Sequence, residues 1–190
     1  MSSLLIKIRK NQTTFPLDKI NQQNIEKLEI LGGSIKELPC ELERYTSLKK
    51  IIINCPELKV FPSFVFNNPQ LELLKIKCTK IEVIEDNSVI LDKLTQLDLS
   101  SNKLEALPNW IYQLTSLKEM NLSGNQIKSL NESIFNLESL TRLNIDRNQL
   151  ESLPKGLEVL VNLNHLSLDG NNFGEDEVQR IFHHYKIMPN

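Results

Sequence analysis

The sequence predicts an α/β repeat solenoid, built from a short unit that recurs along most of the 190-residue chain. Three observations carry this prediction. Aliphatic residues recur every 23 positions, two apolar positions alternate with polar ones inside each unit, and an asparagine follows them in the later units. The recurring aliphatic residues are Ile25, Leu48, Leu71, Leu94, Leu117, Leu140 and Leu163. A unit of this size cannot cover its own apolar face, so stacked units must bury a shared column of leucines.

The unit at residues 94–116 shows the pattern most clearly, with the sequence LTQLDLSSNKLEALPNWIYQLTS. Counted from 1 to 23, its apolar positions 4 and 6 are Leu97 and Leu99, and polar residues flank both. This period of two predicts a half-buried strand. Positions 11, 14, 18 and 21 are apolar at spacings of three to four, which predicts a short return path on the opposite side.

Two further positions of the unit predict how the chain turns. Position 9 is asparagine in the last four units, and its amide can satisfy backbone groups where the chain leaves the strand. These residues are Asn102, Asn125, Asn148 and Asn171, whereas earlier units carry Gly33, Pro56 and Thr79. We therefore expect an asparagine ladder in the second half and a broken one in the first. Proline at position 15 (Pro39, Pro62, Pro108 and Pro154) favours an extended convex segment over a long helix.

The pattern LxxLxLxxNxLxxLPxxIxxLxx resembles the 23-residue class of leucine-rich repeats, found in intracellular and stand-alone bacterial proteins. The resemblance covers about residues 25–173. It implies a right-handed superhelix with a parallel β-sheet on the concave face and short 3-10 or extended segments on the convex face. The unit at 71–93 departs most, with Glu85 in place of proline and Ser88 where an apolar residue is usual.

The chain is expected to form one domain over residues 1–190, because a solenoid needs both of its ends covered. Residues 1–24 are interpreted as an N-terminal cap or degenerate repeat, residues 25–173 as about seven units, and residues 174–190 as a C-terminal helical cap. The predicted helix covers residues 175–185. Its apolar residues fall on one stripe, formed by Val178, Ile181, Phe182 and Tyr185.

Composition sets the expected compartment and excludes several classes of protein. The chain carries 22 basic and 24 acidic residues, so no bulk charge favours nucleic acid. It shows no signal peptide and no apolar stretch long enough to insert into a membrane. Three cysteines without a clustered flanking pair predict a cytoplasmic protein, with non-classical secretion left open. Cys55 and Cys78 occupy equivalent positions in adjacent units, so whether they pair stays open.

The concave face is expected to carry the side chains at positions 3, 5, 7 and 8. Its first zone is apolar, because Leu31, Ile52 and Leu73 step diagonally across three strands, with Cys55 and Cys78 beside them. Large apolar side chains exposed together indicate an interaction site. The alternative is that irregular early repeats turn inward and cover these residues.

The second zone of this face is cationic. Lys50, Lys75 and Lys77 are predicted to meet an acidic partner segment, and Lys27 and Lys80 extend the zone. A solvated lysine surface is the alternative. RNA is disfavoured because the face has no interleaved aromatic residues on which bases could stack.

The third zone is polar and acidic, and it contributes the remaining candidate binding residues: Asp98, Asn121, Asn144, Asp146 and Asp169. Asp146 and Asp169 are expected to be neighbours, and like charges at such a short distance destabilise each other. The favoured interpretation is that Arg142 and Arg147 relieve this repulsion locally. The alternative is that a partner's basic residue or a weakly held cation does so.

These observations together predict a non-catalytic module that binds a protein or peptide on the concave sheet, with no cofactor, metal or nucleic acid. Alternatives are an exported, bacterial effector-type binder of host proteins and a regulatory subunit or inhibitor of an enzyme. An enzyme is disfavoured because the repeats and caps use the whole chain. A monomer is expected, and a dimer through the edge strand at Leu4–Ile8 is the alternative.

Overall fold

A computed structural model describes residues 2–20 and 24–189 of the chain. Its eight strands span Ser3–Ile8 (β1), Lys27–Gly32 (β2), Lys50–Asn54 (β3), Leu73–Ile76 (β4), Gln96–Asp98 (β5), Glu119–Asn121 (β6), Arg142–Asn144 (β7) and His165–Ser167 (β8). Short 3-10 helices lie at Leu17–Lys19, Cys40–Arg44, Ser63–Asn67, Asn109–Gln113, Glu132–Asn136 and Leu157–Val159. One α-helix, α1, spans Glu175–Tyr185.

The strands form one parallel sheet in the order β1 to β8, each paired with the next in the sequence. From β2 onward each residue stands beside the residue 23 positions later, as Ile30 does beside Ile53. Positions 4 and 6 point into the core, where Leu97 and Leu99 are almost fully buried. The predicted solenoid, with a parallel sheet on one side and short 3-10 or extended segments on the other, is confirmed.

The asparagine ladder runs through the turns that follow the strands. The Nδ2 of Asn125 donates to the carbonyls of Leu99 and Leu122 at 2.9 and 2.8 Å, and its Oδ1 accepts from the amide of Leu104 at 3.0 Å. Asn102, Asn148 and Asn171 make the corresponding bonds in their units. Each asparagine therefore joins two adjacent units through buried backbone groups.

The prolines at position 15 start the 3-10 helices rather than merely extending the convex path. Pro39, Pro62 and Pro108 stand directly before such a helix with extended backbone angles. The divergent unit at 71–93 has Glu85 there, and residues 80–90 form neither helix nor strand. Asn131 replaces the proline in the unit at 117–139, but its side chain accepts a hydrogen bond from the amide of Ser133 and the 3-10 helix is kept.

The C-terminal helix α1 lies against the last units. Its first turn carries Glu175, Asp176 and Glu177. The positive end of the helix dipole stabilises these negative charges. Ile181 is fully buried, but Phe182 keeps 47% of its surface exposed and does not join the buried side of the helix. Within the described residues, no helix combines the length and apolar character needed to cross a membrane.

Candidate binding face of the sheet

The apolar zone lies on the outer face of three adjacent strands. Burial alternates along β2, β3 and β4, so Leu31, Ile52 and Leu73 stand opposite the buried side chains and are themselves half-buried. Leu31 pairs with Asn54, two residues beyond Ile52, and Leu73 pairs with Lys50, two residues before it. The three side chains therefore form a diagonal with steps of about 8 Å. We call them the apolar diagonal.

The regular pairing of the early strands argues against the alternative in which the early repeats turn inward. β2 and β3 pair over five positions, from Lys27 with Lys50 to Leu31 with Asn54, and β3 continues in register into β4. Inward rotation of the apolar diagonal would bring Leu28 and Ile51 to the surface, yet both are fully buried. The diagonal is therefore on the open face of the sheet.

The sequence predicted that Cys55 lies beside the apolar diagonal, and this prediction is wrong. It is fully buried, and its Sγ stands 3.9 Å from the carbonyl oxygen of Ile30. Burial raises the pKa of this thiol to about 12, because the thiolate would lose its hydration. Cys78 is exposed, and both are free thiols, so they do not form a disulfide. The strand ends at Asn54, and the turn that follows directs the small apolar Cys55 inward.

Three lysines surround the apolar diagonal without an ion pair. Lys50 stands beside Leu73, Lys75 stands beside Ile52, and Lys77 follows directly after the end of β4. No salt bridge among the described residues involves any of the three. Their side chains are half-buried, so the positive charge is held close to the apolar surface.

The other two lysines of the predicted zone are neutralised. Lys27 forms a salt bridge with Glu29 on its own strand. Lys80 pairs with Glu57 of the preceding unit at 2.6 Å, a bond that lowers the pKa of the glutamate. These two therefore add little net charge to the open face.

The polar zone has a structural role that the sequence interpretation missed. The side-chain Oδ1 of Asp98 accepts a hydrogen bond at 3.0 Å from the amide of Ser100, two residues later. Asn121 and Asn144 accept the same bond from Ser123 and Asp146. Each of these bonds takes a backbone amide away from the sheet. The three strands therefore end after three residues. The spacing of an Asx residue two positions before the turn was the signal available in the sequence.

Hydrogen bonds surround the carboxylate of Asp146, which lies beside Asp169. The carboxylate of Asp146 accepts from the hydroxyl of Ser167 at 2.7 and 2.8 Å and from the backbone amide of Asp169 at 2.8 Å. Among the described residues no salt bridge joins Asp146 to Arg142 or Arg147. Compensation of the Asp146 and Asp169 pair by Arg142 and Arg147 stays a prediction.

A groove of about 220 Å³ crosses the open face from β4 to β8. Its walls include the position-3 side chains of four successive strands, which stand in one register row: Gln96, Glu119, Arg142 and His165. Lys75 and Asp98 form its end nearest the apolar diagonal. The row could have been found by reading position 3 from unit to unit, because each of these residues is polar at the same place.

The described residues contain no group of three or more His, Cys, Asp or Glu side chains placed to hold a metal ion. The geometry that the face does offer is an apolar diagonal, three lysines and a polar groove.

A family model for the leucine-rich repeat matches the chain at residues 46–104, 69–127 and 115–173, which together exceed half of its length. The chain belongs to the leucine-rich-repeat family. This fold generally mediates protein–protein interaction and is typically non-enzymatic. No curated protein matches the chain by sequence.

Solved structures of other leucine-rich-repeat proteins share the fold. A leucine-rich-repeat protein of Leptospira interrogans is 28% identical with a TM-score of 0.72, over 94% of this chain and 52% of that one. The internalin InlF of Listeria monocytogenes is 24% identical with a TM-score of 0.69, over 92% and 56%. The ectodomain of the receptor kinase GASSHO1/SCHENGEN3 of Arabidopsis thaliana, in complex with CASPARIAN STRIP INTEGRITY FACTOR 2, is 26% identical with a TM-score of 0.72, over 89% and 22%. The repeat chain thus spans about half the length of the two bacterial proteins and less of the plant receptor.

Proposed function

We propose that this chain is a non-catalytic module that binds an acidic protein or peptide segment on the open face of strands β2 to β4. The observation that carries the proposal is the apolar diagonal. A leucine-rich repeat uses its inward positions for the core, whereas Leu31, Ile52 and Leu73 occupy outward positions where water-facing residues suffice. Burying one such side chain fully contributes about 1.5–3 kcal/mol, enough for the centre of an interface.

Charge supports an acidic partner. Lys50, Lys75 and Lys77 surround the apolar diagonal, and none of them forms an ion pair among the described residues. Carboxylates of a bound segment would pair with these ammonium groups, while apolar side chains of the segment cover the diagonal. Such pairs at the edge of an interface mainly accelerate association and select the partner.

The groove on β4 to β8 provides room for the rest of the segment. It begins at Lys75, directly beside Ile52, so the diagonal and the groove form one continuous surface. Arg142 and His165 at its far end offer further donors to a polar chain. The related plant ectodomain was solved in complex with a binding partner, which supports ligand binding as the use of such a solenoid.

Replacing Ile52 tests the proposal. The variants Ile52→Asp and Ile52→Thr are compared with the wild type for partner capture from native lysate. Threonine keeps the β-branched shape that a strand favours, so its effect on folding should be small. Val161→Asp is the matched control, because Val161 is a valine with 85% of its surface exposed on the far side of the molecule.

Both Ile52 variants should lose most of the captured partner, while the melting temperature changes by only a few degrees. Capture by Val161→Asp should equal that of the wild type. Undiminished capture by the two Ile52 variants would refute the assignment of the site to the apolar diagonal.

A further inference from the structure

The convex side of the molecule is interrupted at the unit of residues 71–93. The flanking units carry 3-10 helices at Ser63–Asn67 and Asn109–Gln113, but residues 80–90 between them are irregular. Among the described residues, the amides of 82–88 donate no hydrogen bond to the protein. An extended strap with open amides therefore crosses the place where a helix would normally lie.

Aromatic side chains of the two flanking units meet across this unit. The rings of Phe66 and Trp110 are 5.3 Å apart in an edge-to-face arrangement, and Phe61 lies 5.9 Å from Phe66 and 6.3 Å from Trp110. Trp110 is almost completely buried. The three rings give this part of the convex side a firm apolar floor.

Apolar side chains remain exposed above this floor. A groove of about 590 Å³ is lined by Val60, Phe61, Phe66 and Val83. Val83 is 66% exposed and Ile90, further along the strap, is 55% exposed. Val60, which is 49% exposed, lines the same groove as Val83, whereas Ile90 lines a separate groove beside Tyr112 and Gln113. The clustering of Val60 and Val83 indicates a contact surface rather than scattered exposure.

Carboxylates lie around Val83, and Glu82, Glu85 and Asp86 line the groove of Val60 as well as a second one. The second groove, of about 450 Å³, is lined by four carboxylates and by no lysine or arginine. The four carboxylates belong to Glu82, Glu85, Asp86 and Glu105. Lys103 lies 3.6 Å from Glu82 and Lys128 lies 2.8 Å from Glu105, while Asp86 accepts bonds from Asn109 at 2.6 and 2.8 Å. Glu85 forms no ion pair among the described residues.

We infer that this convex surface docks an extended peptide segment that has an aliphatic or aromatic anchor next to basic residues. The anchor enters the groove beside Val83 and rests on Phe61 and Phe66. The basic side chains that follow it reach Glu85 and its neighbours in the acidic groove. Lys59 and Lys80 also line the groove that the anchor enters, and Lys80 is paired with Glu57. Nucleic acid and anionic membranes would be repelled by the same carboxylates.

A random nine-residue peptide library tests the chemistry of the partner. The library is selected on the full wild-type chain after peptides that bind Val83→Asp have been removed. The expected result is enrichment of sequences in which lysine or arginine stands beside a leucine, isoleucine, phenylalanine or tryptophan. Failure of any sequence to be enriched, or enrichment of acidic sequences, would overturn the inference.

Fluorescence anisotropy with the most enriched peptide then locates its site. Val83→Asp and Glu85→Lys should each weaken binding about tenfold or more, and the loss in Glu85→Lys should shrink at high salt. The matched controls Val161→Asp and Glu151→Lys, both at exposed positions, should bind as the wild type does. If Val83→Asp bound the peptide as tightly as the wild type does, and its circular dichroism were unchanged, the inference would also be overturned.

This surface is separate from the apolar diagonal on the sheet. Ile52→Asp should leave the affinity of the selected peptide unchanged, so either site can fail without the other. Weakening of the peptide by Ile52→Asp would place it on the sheet face and contradict the convex site.

Discussion

Buried asparagines hold neighbouring turns together through single side chains. Asn125 makes three hydrogen bonds to backbone groups of Leu99, Leu122 and Leu104. Its position in the sequence predicted this role, because one amide side chain can donate two hydrogen bonds and accept others at the same time. The sequence analysis expected the ladder to be broken at Thr79. Its hydroxyl instead bonds directly to Asn102, so the ladder continues one unit further than expected.

Replacing Asn125 with alanine should destabilise the fold by about 3 kcal/mol, because a buried amide and two carbonyls lose their partners. Chemical denaturation measures the free energy of unfolding. Asn172→Ala, at an exposed asparagine, is the control and should cost less than about 0.5 kcal/mol. Equal stability of the two variants would contradict the ladder.

The three cysteines differ in exposure, and thiol labelling reads this difference directly. Cys40 and Cys78 are exposed, whereas Cys55 is fully buried and its raised pKa disfavours the thiolate. A maleimide reagent on the native protein should label two thiols quickly and leave Cys55 unlabelled until the chain unfolds. Peptide mapping that found Cys55 labelled as fast as Cys78 would contradict its burial.

The orientation of Cys55 shows where residue-level prediction ends. Cys55 and Cys78 share one position of the repeat, yet one is buried and the other is exposed. Cys78 adopts a positive φ of 55°, which belongs to the tight turns of the later units. The difference arises from the path of each turn, which one letter at one repeat position does not determine.

At the scale of elements, an Asp or Asn at position 5 accompanies a short strand. Asp98, Asn121 and Asn144 divert the amide two residues later, and their strands are three residues long. Glu29 and Ile52 occupy this position in earlier units, and their strands continue for six and five residues. The sequence predicted where strands lie but not their lengths, because the Asx turns were interpreted as binding residues.

The helix α1 is fixed to the last repeats by one ion pair. Arg180 donates two hydrogen bonds to Glu177 at 2.6 and 2.7 Å, and both residues also bond to the backbone of Leu153. The bonds from Arg180 hold the pKa of the Glu177 carboxyl below its usual range. Both side chains are largely shielded from solvent, so the pair holds the helix more firmly than a surface pair would.

This pair makes the docking of α1 dependent on pH. Because the pKa of Glu177 is lower in the folded chain, its contribution is complete above about pH 4.3, the ordinary glutamate value, and is lost as the pH falls further through the lowered value. Glu177→Gln should cost about 2 kcal/mol at pH 7 and flatten this part of the acid dependence.

Hydrogen exchange of the α1 amides, recorded from pH 7 to about pH 2 and corrected for intrinsic rates, measures the effect. The control is Glu175→Gln, in the same turn at an exposed position. Equal protection of α1 in the two variants at pH 7 would show that the Glu177 pair does not hold the helix.

At the scale of the whole molecule, the 23-residue period determined the sheet, its register and the core. The divergent unit at 71–93 was also visible in the sequence, through Glu85 and Ser88. The structural consequence of this divergence was not visible in the sequence, because the contact between Phe66 and Trp110 joins residues two units apart across the divergent unit. Surface grooves likewise arise from neighbours in space. The polar row at position 3 was visible in the sequence, but the groove that it lines and the convex groove were not.

The open sheet of the solenoid leaves β1 as an edge strand, paired only with β2 within the described chain. Lys19 donates to the carbonyl oxygen of Lys7 at 3.2 Å, so one acceptor of β1 is already occupied. Charged side chains on an edge strand also discourage pairing between molecules. A monomer therefore remains the prediction.

Side-chain footprinting with hydroxyl radicals measures most directly whether a partner covers the sheet face. The partner captured by wild type, and lost from Ile52→Thr, is bound to the full chain before oxidation. The account predicts that Leu31, Ile52 and Leu73 become protected, while exposed Val161 is oxidised as before. Protection elsewhere, with these three residues oxidised as fast as in the free protein, would contradict it.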